Sequence, residues 1–249
     1  MAQQINDHLV MVCGKSTTGK SASLMGLTNP EGVMYLNCES GKRLPFPAKF
    51  KAGPDGRPGF VITDPLQVRE AFQAAEAMPD VTDIVVDSAT FMMEMYESVH
   101  VTDAINTMKA WGDFSQFWKN LLQQDVAKST KNVVFTAHTL DTYNEKDLCM
   151  ETKVPIKGSL KNTGLESFFS VVIATKKIDL ITLEKRKCEY LTITPQEEAL
   201  GFKYVFQTQL TKETINERIR GPIGMWDESE TFIDNNMQHV FDRLRQYYA

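Results

Sequence analysis

The chain has 249 residues, 42% of them apolar and 24% charged, with a formal net charge of −5. That length and balance suit one α/β domain and exclude a disordered chain and a globally basic nucleic-acid binder. No apolar run approaches the roughly 20 residues that span a bilayer, and the polar stretch Met1–Asp7 has no signal-peptide pattern, so a cytoplasmic protein without a membrane partner is expected.

In chain order, Leu9 to Cys13 reads as a buried strand ending at a glycine loop, and Ser21 to Leu27 as a helix closed by Thr28-Asn29-Pro30. Val33 to Asn37 reads as a second strand, Gly41 to Gly59 as an irregular loop rich in Gly, Pro and Lys, and Phe60 to Thr63 as a short strand. Asp64-Pro65 starts a helix, with Gln67 completing a capping box and Val68, Phe72 and Ala75 forming one apolar face. A strand over Asp83 to Asp87, a helix over Ala89 to Val99 and a long helix over Asp103 to Val126 follow. Trp111, Phe114, Trp118 and Leu121 recur at helical spacing, which assigns them to the core rather than to a base-stacking surface. Asn132 to Ala137 is a strand, Thr139 to Thr163 a polar loop, and Val171 to Thr175 a strand. Leu180 to Leu183, Tyr190 to Thr194 and Tyr204 to Leu210 read as short β runs, and the last helix covers about Asn235 to Tyr247. Early strand–helix alternation with late hairpins predicts a mostly parallel sheet carrying antiparallel additions. The cysteines, Cys13, Cys38, Cys149 and Cys188, form no Cys-x-x-Cys pair and read as free thiols.

Gly14-Lys15-Ser16-Thr17-Thr18-Gly19-Lys20-Ser21 matches G-x-x-x-x-G-K-[ST] between a strand and a helix, the phosphate loop of nucleotide triphosphatases. Glycines let the backbone curl so that its amides face phosphate oxygens. Lys20 then reaches the β- and γ-phosphates of ATP and Ser21 offers its hydroxyl to Mg²⁺, with Ala22 closing the cradle. Asp83-Ile84-Val85-Val86-Asp87-Ser88 has the form of a Walker B strand, with Asp87 on Mg²⁺. Ser88 stands where many ATPases have glutamate, so Glu39, after the strand from Tyr35, is the candidate to orient the attacking water.

Strand-then-Glu at Tyr35 to Glu39, Ile84 to Ser88, and Val133 to His138 together resemble the RecA-type ATPase core. The resemblance implies a single RecA-like domain, with the core at about 8–226 and a C-terminal helix near 235–248. It makes Glu39 the catalytic glutamate and His138 the γ-phosphate sensor, where RecA itself carries Gln. Pro155 to Leu160, Phe168 to Thr175 and Arg218 to Gly224 resemble the short RecA-like ATPases of bacteriophages, which are tied to single-strand annealing and recombination. The same resemblance implies a homo-oligomer, ring or filament, in which Arg218 or Arg220 is supplied in trans, and single-stranded DNA as partner, with a single-strand-binding or replication protein as a further one. DNA would meet the stretch Leu140 to Thr163, with Tyr143, Lys146, Lys153, Lys157 and Lys161, or the basic run Lys42, Arg43, Lys49 and Lys51. Two rivals share the phosphate loop: a small-molecule or nucleotide kinase, and a nucleotide-switch protein such as a helicase-loading partner.

Overall fold

The structure, a computed structural model, describes residues 6–249, so the first residues of the polar N-terminal stretch lie outside the described residues. Its strands are β1 (Leu9–Gly14), β2 (Val33–Asn37), β3 (Phe60–Val61), β4 (Asp83–Asp87), β5 (Asn132–His138), β6 (Leu140–Asn144), β7 (Cys149–Lys153), β8 (Val171–Asp179), β9 (Phe202–Gln207) and β10 (Phe232–Asp234). Among the described residues eight of them form one sheet in the order β10-β9-β8-β1-β5-β4-β2-β3. The pairings from β3 to β8 are parallel, and β8–β9 and β9–β10 are antiparallel, so the expected fold class holds.

Both faces of the parallel strands are covered, which explains their unbroken apolar runs. Leu9, Met11 and Cys13 of β1 point into one core, packed under α1 (Leu66–Glu76), α2 (Ala89–Tyr96) and α3 (Thr107–Asn120). Val10 and Val12 point into the other, which includes Met237, Val240, Phe241 and Leu244 of a C-terminal helix. Phe114, Trp118 and Leu121 are fully buried and Trp111 packs partly against them, as their spacing predicts. Burying one such side chain is worth about 1.5–3 kcal/mol.

Several expectations need correction. The segment after the phosphate loop is a six-residue 3-10 helix, Ser21–Gly26, rather than an α-helix. The long helix starts at Thr107, not Asp103, because the Asn106 side chain accepts the Lys109 amide and caps it there, and after Asn120 it widens into a π-helical turn, Leu121–Val126. The polar stretch from Thr139 holds an antiparallel hairpin, β6–β7. Leu180–Leu183 is a short helix, α4, because the Asp179 side chain accepts the Thr182 amide. Tyr190 to Thr194 forms no strand, and α5 (Pro195–Leu200) follows from a Thr194–Glu197 capping box. The last helix, α6, spans Met237–Tyr247. All four cysteines are free, Cys13 and Cys38 being buried.

Register brings the chemistry to one edge. Gly14 lies opposite His138, and Asn37 opposite Asp87, so the phosphate loop, the Glu39 turn, Asp87 and His138 all emerge at the carboxyl ends of adjacent parallel strands. That edge is where ligands of open α/β sheets bind.

Candidate nucleotide-binding site

The loop after β1 is curled as a phosphate cradle requires. Thr17 and Gly19 adopt left-handed backbone conformations, φ 64° and 97°. At Gly14 a side chain is excluded: a Cβ would lie 2.1 Å from Thr175 Oγ1. Thr18 and Thr175 hydroxyls meet at 2.6 Å, and Asn235 Nδ2 donates to the Gly19 carbonyl at 2.9 Å, so the loop is held from β8 and from the segment before α6. Lys20 is only 6% exposed. Its ammonium donates to the Gly14 and Lys15 carbonyls at 3.0 and 2.9 Å. Burial lowers its pKa to about 8, against the opposing pull of Asp87 and Glu39.

Asp87 is buried beneath this loop and saturated with hydroxyl donors. Ser21 Oγ and Tyr35 OH both donate to Oδ2 at 2.7 Å, and Thr136 Oγ1 donates to Oδ1. The peptide between Asp87 and Ser88 is cis. A carboxylate with a serine hydroxyl in contact is a hard-oxygen pair, and it fits Mg²⁺. Among the described residues no cluster of three or more His, Cys, Asp or Glu could form a metal cage.

Glu39 follows β2 and turns back over the same edge, its side chain 8% exposed. His138 Nε2 stands 3.6 Å from Glu39 Oε1, Ser88 Oγ donates to that oxygen at 3.3 Å, and Lys42 Nζ donates to Oε2 at 3.0 Å. The His138 contact, helped by Lys42 and opposed by burial, lowers the Glu39 pKa to about 2. The other ring nitrogen of His138, Nδ1, lies 3.3 Å from Lys20 Nζ. Glu39, His138 and Lys20 therefore form a continuous polar chain above the phosphate loop. The His138 amide donates to Thr90 Oγ1 at 2.9 Å, which fixes the end of β5.

These groups surround a cleft of about 370 Å³ whose walls include Ser16, Thr17, Gly19, Lys20, Ser21, Ala22, Glu39, Asp87 and His138. Gly14, Lys15 and Thr18 line a neighbouring cleft of about 590 Å³ beneath the β6–β7 hairpin, and Arg218 lines that one. Arg218 and Arg220 are exposed and neither lines the nucleotide cleft of its own chain. Arg218 stands 3.9 Å from Glu151. Of the basic candidates, Lys153 and Lys157 are paired with Glu151 and Glu97, Lys51 is paired with Asp80, and Lys42 and Arg43 line the nucleotide cleft.

Sequence reasoning missed Tyr35, Thr136, Thr175, Tyr204 and Asn235. The first two reach Asp87 from the strands on either side of β4, and only the register reveals them. Thr136, two residues before His138 on one strand face, carried the one available signal: a polar residue inside an apolar run.

No curated protein matches the chain. A family model described as an AAA domain matches residues 7–200, more than three-quarters of the chain, and its span takes in the phosphate loop, Glu39, Asp87 and His138. With the parallel sheet and the Walker-type edge, that match means the chain belongs to the AAA domain family of P-loop ATPases.

Proposed function

We propose that the chain is a Mg²⁺-dependent ATPase of RecA type that works as an oligomer on single-stranded DNA, in recombination or annealing like that of the phage ATPases it resembles. The observation that carries this reading is the Glu39–His138–Lys20 chain, because the strand bearing His138 runs directly into the β6–β7 hairpin. The loop amides and Lys20 hold the triphosphate. Ser21 and Asp87 would hold Mg²⁺, which would supply positive charge against the phosphates. Glu39, kept ionised by His138 and Lys42, accepts the proton of the attacking water. In this reading His138 registers the γ-phosphate and passes its loss on to the hairpin.

The hairpin supports the DNA reading through what it exposes. Leu140, Tyr143, Leu148 and Met150 are each more than half exposed, and Lys146 lies on the same turn. Apolar and aromatic side chains beside a lysine suit bases and phosphates of a single strand. The oligomer belongs to the same reading: Arg218 and Arg220 stand outside their own nucleotide cleft, as a finger offered to a neighbour's γ-phosphate would.

The test is the ATPase rate with and without single-stranded DNA, for the wild type and Glu39→Gln. DNA-stimulated hydrolysis that Glu39→Gln abolishes, with ATP binding retained, is expected. Hydrolysis indifferent to any DNA removes the DNA role and leaves the nucleotide site standing.

A further inference from the structure

The family match ends at residue 200, yet the nucleotide cleft does not. Tyr204, on β9, and Asn235, just past β10, form part of its wall. Asn235 crowds Gly19, where a Cβ would lie 2.5 Å from its Nδ2, and Tyr204 lies at ordinary contact distance, its Cβ 3.9 Å from the same point.

We infer that Asn235 is a positioning residue for nucleotide binding, holding the phosphate loop in its curl through the Gly19 carbonyl, so that the chain beyond the family match completes the site. The inference rests on the nucleotide-site reading above and adds to it a residue outside the Walker motifs.

The geometry favours this role over simple packing. Gly19 sits at φ 97°, a left-handed conformation that a side chain would strain, at the turn from the loop into the 3-10 helix. Its carbonyl accepts the Ser23 amide at 3.0 Å, and Asn235 Nδ2 adds a second, long-range bond at 2.9 Å that ties this point of the loop to the chain beyond β10. Asn235 Oδ1 is buried and makes no hydrogen bond among the described residues. An open buried acceptor costs about 1–3 kcal/mol, and such groups persist where a particular geometry is needed. Here the amide is held by its single bond to the loop.

The neighbouring residues anchor Asn235 without touching the cleft. Asn236 caps α6 by accepting the Gln238 amide at 3.0 Å and packs over Gly26, where a Cβ would lie 2.2 Å from its Oδ1. Gln238 Oε1 accepts both the amide and the hydroxyl of Thr28 at 3.1 Å. The start of α6 thus docks along the whole 3-10 helix that follows the phosphate loop, with Asn235 at the cleft end. This gives a separation that mutagenesis can use: Asn235 serves the loop, and Gln238 serves the docking.

The experiment measures binding of Mg²⁺ with ADP or ATP by titration calorimetry, beside thermal melting of the nucleotide-free protein. Asn235→Asp keeps the size of the side chain and replaces the donor by an acceptor facing the Gly19 carbonyl; Asn235→Ala deletes both. Each is expected to bind nucleotide roughly 10-fold more weakly, the equivalent of one lost hydrogen bond; Asn235→Ala, which strands no acceptor of its own, is expected to melt near the wild type, and Asn235→Asp to melt earlier. Gln238→Ala is expected to melt earlier and bind as the wild type does. Unchanged affinity in Asn235→Asp overturns the inference, as does an equal loss of affinity in Gln238→Ala, which would mean that the docking alone matters. A wild type that binds no nucleotide defeats the nucleotide-site reading itself, an outcome distinct from these.

Discussion

Two groups of carboxylates border the phosphate loop, and they behave differently. Asp87 and Glu39 lie on the β4 side, shielded from water and bonded to hydroxyls, a histidine and a lysine at fixed positions. Asp141 and Glu151 lie on the hairpin itself and Glu217 beside it, paired with Lys15, Lys153 and Lys176. The first group sits where low dielectric strengthens each interaction and makes an unpaired group expensive. The second holds its shape through pairs that solvent and salt weaken. Charge count alone does not separate them, but depth does. The buried group is suited to chemistry at a fixed point, and the second, half-buried to exposed, to contacts that water can exchange.

The largest effect that would sharpen this contrast is on the chemical step. Glu39→Gln should lower kcat by about 10²–10⁴-fold with ATP binding retained, the usual range for loss of a general base, as measured by steady-state phosphate release and nucleotide titration. Retained turnover in that variant would move the water-orienting role away from Glu39. Next comes the stability of the buried group. Asp87→Ala strands the hydroxyls of Tyr35 and Thr136, and should cost about 3 kcal/mol in urea unfolding.

The third is a dependence on acid. The Glu39 pKa is lowered from 4.5 to about 2, so its contribution to stability is complete above pH 4.5 and is lost as the pH falls toward 2. Across that window the wild type should lose about 2 kcal/mol more than Glu39→Gln, allowing for residual solvent screening. Parallel acid curves for the two proteins would mean that Glu39 is not held as described. The smallest effect belongs to the exposed group: Lys15→Ala, which breaks the 2.6 Å pair with Asp141, should change stability by less than about 1 kcal/mol. A larger loss would place the hairpin clasp among the structural contacts and blur the comparison.

The same difference in depth governs what the sequence reveals. The phosphate loop is legible because backbone curl and phosphate charge demand Gly14, Gly19, Lys20 and Ser21 at fixed spacing. Asp87 is legible from the apolar strand that it ends, and Glu39 and His138 from their resemblance to the RecA core. Tyr35 and Thr136 are not, because their meeting with Asp87 depends on which strands become neighbours, and β5 comes to lie between β1 and β4. The hairpin is hidden by its polarity, since Asp141-Thr142 and Glu151-Thr152 read as loop and gain their pairing only across the turn. Leu180–Leu183 misleads through its β-prone composition, although Asp179 ahead of it was a readable cap. Asn235 carried no signal, because its partner lies 216 positions away.

That distance has a consequence for how the protein comes into being. Among the described residues β1 pairs with β5 and β8, both far later in the chain, and its loop waits for Asn235. As the chain leaves the ribosome, β1 is an unpaired apolar ribbon until β5, Asn132–His138, has followed. Such long-range pairing is slow and leaves a sticky edge open in the meantime. The nucleotide site therefore matures last, and a ribosome-stalled fragment that ends before β10 should lack the hold on Gly19 even if its parallel strands have paired.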